Sequence, residues 1–228
     1  MKVYLSLIVL FFATSFCHGQ GLKTTNDSLS YALGQDLASY LKRMDIPINS
    51  TVLSQAIKDV LDGKSLAFTE SQKEEVIRSG MERVTKEKND KLIKASADFL
   101  QKNKQVAGIK ETPEGIQYQV IKAGNGPQPS LDDTITVHYK GMLTDGTTFD
   151  SSYDRGEPIE ITLNEMIEGW KIAVPLMKEG SKYKFFIPHK LGYGERASGP
   201  IPAYSTLVFE VELLKVKKVA TNETKQTL

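Results

Sequence analysis

Residues 137–158 read VHYKGMLTDGTTFDSSYDRGEP. The stretch opens inside an alternating run, Thr134 to Tyr139 (TITVHY), whose period of two is that of a half-buried strand. Thr144 to Thr147 (TDGT) then supplies a turn signal, because Asp and Gly suit tight turns. Outward from there the same period appears at 115–121 (GIQYQVI), 181–187 (SKYKFFI) and 207–216 (LVFEVELLKV). Turn signals separate these runs at 124–127 (GNGP), 191–196 (LGYGER) and 198–202 (SGPIP). One helical piece interrupts them, Ile167 to Met177, and it holds the only Trp, Trp170. The pattern predicts an α+β domain, an antiparallel sheet with one short helix against a face. Residues 217–228 carry no apolar pattern and read as a flexible tail.

Upstream of 112 the period changes. Leu29, Leu33, Leu37 and Leu41 recur every four residues, with Tyr40 and Met44 alongside, and so draw an apolar stripe down one helix. Asn26 or Asp27 can cap its start and Pro47 ends it. A second helix is expected over 50–62, with Val52, Leu53, Ala56, Ile57, Val60 and Leu61 inward, Asn49 or Ser50 as cap and Gly63 at the C-cap. Thr69 and Gln72 have capping-box spacing. No Pro follows until Pro113, which predicts a long, highly charged connecting helix over 69–111, on the order of 50 Å. Two short amphipathic helices bury little alone. The economical cover for the leucine stripe is a second copy, so a homodimer through residues 26–80 is expected; the competing arrangement folds these helices onto the C-terminal domain.

The N-terminus reads as an address. Lys2 precedes the apolar run Val3–Phe12, which is far short of the roughly 20 residues needed to span a bilayer. Residues 1–19 therefore have the form of a secretory signal peptide. A lipoprotein reading through Cys17 ranks lower, because the bulky Phe16 precedes it. The expected destination is outside the cytoplasm, secreted or in the periplasm or cell envelope. Of 228 residues with 29 basic and 28 acidic side chains, removal of 1–19 leaves 28 of each and no Cys. Thiol nucleophiles and disulfides are thereby excluded, and with only His138 and His189 left so is a His- or Cys-rich metal site. Balanced charge gives no reason to expect nucleic acid, and no later apolar run is long enough for a membrane span.

Within the β-rich half, acid–base candidates are few. His138 lies in a strand with no Ser or Cys partner evident, and His189 follows Pro188 and reads as a solvated turn residue. Asp132, Asp133, Asp145 and Asp154 sit in turn contexts, where Asp bonds its own backbone. LGYGER is not a phosphate loop. What stands out is aromatic and apolar: Tyr139, Phe149, Ile161, Ile167, Trp170, Tyr193 and Phe209 fall at strand ends or beside turns.

The stretch 137–158 closely resembles the signature of FKBP-type peptidyl-prolyl cis–trans isomerases. IEGWKIAVPLMKEGSKYKFFIP (167–188), LGYGE (191–195) and TLVFEVELLKV (206–216) follow in that family's order and spacing. The resemblance covers residues 112–216. The helical half, 20–68 and then the connecting helix, is similar to the dimerisation region of the exported macrophage-infectivity-potentiator-like and FkpA-like members. The resemblance implies an FKBP-like sheet wrapped on one helix and a pocket for a prolyl ring. It implies Trp170 as floor and Tyr139, Phe149 and Phe209 as aromatic walls. Met166 and Ile167 would line one side, with the Ile167 amide binding a substrate carbonyl. Asp150 and the Tyr193 hydroxyl would supply polar contacts, Arg155 would hold Asp150, and Ile201 would close the top. Ile159 would stand where an aromatic wall residue is usual. Shorter segments at 164–166 and 198–202 depart from the smallest members and bear on macrolide affinity. The implied activity is non-covalent X–Pro isomerisation during folding of exported proteins, with no cofactor and no metal. Unfolded or proline-containing polypeptides are the implied partners and a macrolide the implied inhibitor. The rival readings are a dimeric polypeptide-binding chaperone with incidental isomerase activity and a structural dimer with a degenerate fold of this type.

Overall fold

The structure, a computed structural model, describes residues 21–219. The expected leader at 1–19 and residues 220–228 of the expected tail lie outside the described residues. The chain divides into two units, the first ending at Val84 and the second beginning at Thr85.

The first unit is helical. Helix α1 spans Thr25–Arg43, α2 Ser50–Leu61 and α3 begins at Glu70. Thr24, two residues before the expected Asn26, caps α1: its Oγ1 accepts the Asp27 amide at 3.1 Å and Asp27 Oδ2 accepts the Thr24 amide at 2.8 Å. The helix ends at Arg43, before the restriction from Pro47 is reached. Asn49 caps α2 through the amides of Thr51 and Val52, and Gly63 follows at φ 65°. Thr69 and Gln72 form the expected box at the head of α3. None of the three helices contains a buried residue. Leu29, Leu33 and Leu37 are 59%, 61% and 39% exposed. No helix among the described residues is long and apolar enough to cross a membrane.

The second unit is a seven-stranded antiparallel sheet. Its strands are β1 (Lys110–Glu111), β2 (Gln117–Lys122), β3 (Thr134–Met142), β4 (Thr148–Ser151), β5 (Ile159–Thr162), β6 (Lys182–Ile187) and β7 (Leu207–Lys217). The order is β1-β2-β6-β7-β3-β4, with β5 also paired to β3. Burial along β3 alternates residue by residue, as its sequence requires. Ile135, Val137 and Tyr139 face the core with Phe185, Ile187, Leu207, Phe209, Val211 and Leu213. Against that face lies α5 (Glu168–Ala173), which buries Trp170 and Ala173.

Several boundaries differ from expectation for identifiable reasons. The helix expected over 167–177 is α-helical only to Ala173 and then tightens into a 3₁₀ turn, Val174–Leu176. Pro175 lacks the N–H and crowds the carbonyl four residues back. Helix α3 ends at Asn103 and does not run on to 111: Gly108 adopts φ 84°, and Lys110–Glu111 pair with β2. The C-terminal part of α3, from Thr85 on, belongs to the second unit. There Phe99 meets Phe186 at 6.0 Å, Ser96 Oγ bonds Thr206 Oγ1 at 2.6 Å, and Asn103 donates to the buried Gln117 at 2.8 Å. The sheet also takes up the start of the expected tail. Lys217 ends β7, and Asp133 binds the Lys218 ammonium and the Val219 amide.

Candidate functional site

On the core side of β3 and β7 the register sets Tyr139 opposite Val211 and Gly141 opposite Phe209. Gly141 is needed there: a Cβ would lie 2.5 Å from the Phe149 ring and 3.0 Å from that of Phe209. Its absence lets these two rings meet edge-on, centroids 5.6 Å apart at 85°. Gly169 does the same for α5, where a Cβ would strike Ile187 at 2.4 Å. The helix therefore sits close enough on β6 to bring Trp170 under the rings. Trp170 meets Tyr139 at 5.5 Å and 90° and Phe209 at 5.4 Å and 88°. Such edge-to-face pairs add roughly 0.5–1.5 kcal/mol each beyond area burial.

These rings enclose one side of a cavity of about 300 Å³. Its lining includes Tyr139, Phe149, Asp150, Met166, Ile167, Trp170, Tyr193, Ile201 and Phe209, nine of the eleven expected site residues. Met166 follows a 3₁₀ turn and Ile167 is the N-cap of α5, its carbonyl accepting the Trp170 amide at 2.9 Å. Ile201 is buried and pairs with Ser198 through two backbone bonds. Tyr193, 41% exposed, stands at the rim. Arg155 and Ile159 are not among the lining residues. Arg155 reaches the site through Asp150, whereas Ile159 packs against the core from β5, opposite Val137. Ser198, Gly199 and Pro200 also line the cavity; in sequence they carry only a turn signal.

The polar corner is tighter than the sequence implies. Tyr139 Oη donates to Asp150 Oδ2, Arg155 Nη1 donates to Asp150 Oδ1, and Arg155 Nη2 donates to Tyr139 Oη at 2.9 Å. The guanidinium lies 5.5 Å from the Tyr139 ring centroid. Burial works against the charged form of Asp150, but the hydrogen bonds from Tyr139 and Arg155 outweigh it, and the carboxyl titrates below its ordinary range. Burial, then the neighbouring carboxylate, pushes the Tyr139 phenol up. At neutral pH the corner is thus a carboxylate, a guanidinium and a neutral phenol, with no group poised to exchange a proton.

The other candidates resolve as structural. Asp145 Oδ1 accepts the Thr147 amide at 2.8 Å, and Asp133 accepts the Ser130 amide, the turn chemistry expected of them. His189 is half-buried where a solvated residue was expected. Its ring packs against Tyr204, its Nδ1 is buried without a hydrogen-bond partner among the described residues, and burial lowers its pKa.

The profile of the family described as FKBP-type peptidyl-prolyl cis-trans isomerase matches residues 126–214. A second, described as the domain amino terminal to that isomerase, matches residues 26–120. The FKBP-type peptidyl-prolyl cis-trans isomerase FkpA of Aeromonas hydrophila is 40% identical over 212 residues, covering 87% of this chain and 79% of the relative. The chain belongs to the FKBP-type peptidyl-prolyl cis–trans isomerases. The isomerase is also similar to the outer membrane protein MIP of Legionella longbeachae, 41% identical over 207 residues, 87% of this chain and 89% of the relative. The crystal structure of FkpA from Escherichia coli matches it with a TM-score of 0.67 at 32% identity, over 88% of this chain and 100% of that one. The reaction of this isomerase is therefore rotation about X–Pro peptide bonds. Membership favours that reading over the chaperone and the degenerate-fold rivals.

Proposed function

We propose that this isomerase acts on X–Pro bonds of exported polypeptides and does so without covalent or acid–base chemistry. One observation carries the reading: four aromatic rings around Trp170 border a 300 Å³ cavity whose single polar corner does not titrate near neutrality. The uncatalysed barrier, ~18–20 kcal/mol, comes from amide resonance. Resonance is lost in the twisted transition state, where the carbonyl is less polarised. An apolar pocket disfavours the charge-separated planar amide relative to the twisted one, and a pocket shaped to the twisted form binds it better. Roughly 5–7 kcal/mol of such differential binding would supply about 10⁴- to 10⁵-fold.

In this reading the prolyl ring rests on Trp170 between Tyr139, Phe149 and Phe209. Met166 and Ile201 close its sides, and the Ile167 amide takes a substrate carbonyl. Asp150, held by Arg155, and the Tyr193 hydroxyl contact the rotating amide. Ile159 supports the wall from the core. A macrolide that mimics the twisted amide would compete for the same cavity. The helical unit serves as a dimerisation arm, because its leucine stripe is exposed in the single chain. Two linked pockets would raise the effective concentration of a client held at both. The leader-like residues 1–19 motivate export to the periplasm or envelope.

The test uses a denatured protein whose refolding is limited by a trans-to-cis prolyl step. Catalytic amounts of the isomerase are expected to accelerate that slow phase and leave its amplitude unchanged. An unaltered rate at stoichiometric isomerase would overturn the reading.

A further inference from the structure

Strands β3 and β4 run side by side until Ser151 faces Lys140. One step further the ladder fails. Opposite Tyr139 the chain has already turned into α4, the single helical turn Ser152–Arg155. The backbone of Tyr139, the residue whose phenol anchors the polar corner, would be left without a strand partner on that side. The Ser152 hydroxyl fills the gap. It accepts the Tyr139 amide at 2.8 Å and donates to the Tyr139 carbonyl at 3.2 Å, and Ser152 is completely buried. A third contact reaches the same oxygen, from His138 Nδ1 at 2.9 Å.

A hydroxyl has one proton and two lone pairs. With the proton of His138 on Nδ1, Ser152 accepts twice and donates once, so all three contacts are satisfied together. The imidazole is itself fixed. It stacks on Tyr153 at 4.5 Å and 13°, and the Tyr153 hydroxyl donates to Glu212 at 3.1 Å. Ser152 lies two residues after Asp150 and three before Arg155. It thus ties the strand that carries Tyr139 to the junction between β4, which carries Asp150, and α4, which carries Arg155.

We propose that Ser152, oriented by His138, is a positioning residue that sets the Tyr139–Asp150–Arg155 corner for isomerisation. The proposal rests on the assignment of that corner to the site. Its test therefore measures Asp150→Ala beside Ser152→Ala and the double variant, by kcat/KM on an X–Pro tetrapeptide and by the emission of Trp170, the only Trp in the chain. Trp170 touches Tyr139 edge-on, so a shift of the phenol changes its fluorescence in the folded protein.

Displacement of a reacting constellation by a fraction of an ångström justifies an expected loss of about 10-fold in Ser152→Ala, mostly in kcat. The same variant should show altered native-state emission, and the double variant should be no slower than Asp150→Ala alone. A folded Ser152→Ala with full activity beside a slow Asp150→Ala overturns this inference and leaves the site assignment standing. Losses that multiply in the double variant overturn it as well, since they mark independent effects. Full activity of Asp150→Ala removes the site assignment and this inference with it. Where Ser152→Ala does not fold, His138→Ala at its half-buried position carries the test. A loss of about 2- to 5-fold with the same emission change supports the proposal, and unchanged kcat/KM overturns it.

Discussion

Gly141 shows how closely the pocket is built. A methyl group there would overlap two atoms of the Phe149 ring, at 2.5 and 2.7 Å. Gly141→Ala should therefore turn Phe149 out of its edge contact with Phe209. We expect kcat/KM to fall by about an order of magnitude for a strain cost of roughly 1–3 kcal/mol in thermal unfolding. Full activity with normal stability would show that the Phe149 wall is dispensable. At this scale much of the site was legible. The family resemblance of 137–158, 167–188, 191–195 and 206–216 implied these residues, and Tyr139, Phe149, Asp150, Trp170, Tyr193 and Phe209 do line one cavity. Three features were not legible. The Tyr139 phenol joins Asp150 and Arg155 only because β3 and β4 pair across a hairpin with an irregular register. Ser198–Pro200 line the cavity through backbone geometry that no residue type signals. The Ser152 hydroxyl matters only because a strand partner is missing.

The helices declared themselves through apolar spacing and caps, down to the Thr69–Gln72 box. The strands β1, β4 and β5 did not. They are two to four residues long, too short to show a period, and exist because a longer strand offers them a free edge. Nor did the sequence reveal that the end of α3 belongs to the sheet. Phe99 and Asn103 read as part of a polar rod, yet they cover Phe186 and satisfy the buried Gln117. Residues 85–219 should therefore unfold at higher temperature than residues 112–219, and Phe99→Ala should cost about 1–2 kcal/mol, less than a fully buried Phe. Equal melting of the two fragments would show that the helix end contributes nothing. Asp133 closes the other end of the sheet. Burial disfavours its ionised form, but Lys218, Ser130 and the Val219 amide overcome that and hold its pKa below the usual carboxylate range. A carboxyl depressed in the folded state stabilises above the unfolded value, ~3.9, and that stabilisation is lost as pH falls through the folded value. Asp133→Asn should thus melt below wild type at pH 7, and the gap should narrow toward pH 2. A gap independent of pH would mean the carboxylate charge is not what matters.

At the scale of the whole molecule, composition alone was uninformative, since a net charge of +1 fits many proteins. It becomes informative once the chain is seen as two units. The helical unit exposes Leu29, Leu33 and Leu37 in the single chain, the stripe that the proposed second copy would cover. Light scattering should give the mass of two chains for residues 20–228 and of one for the same residues with Leu33→Asp and Leu37→Asp. A wild-type monomer would remove the dimer from the account. The sheet unit carries the chemistry, and the central claim is that its aromatic pocket catalyses by binding the twisted amide. The most direct test is the protease-coupled cis-to-trans conversion of an X–Pro tetrapeptide by wild type, Phe209→Ala and Asp150→Ala, each checked for folding. We predict rapid conversion by wild type and losses of about 10- to 100-fold in both variants. A wild-type rate equal to the uncatalysed one, or equal rates in all three proteins, would contradict the claim.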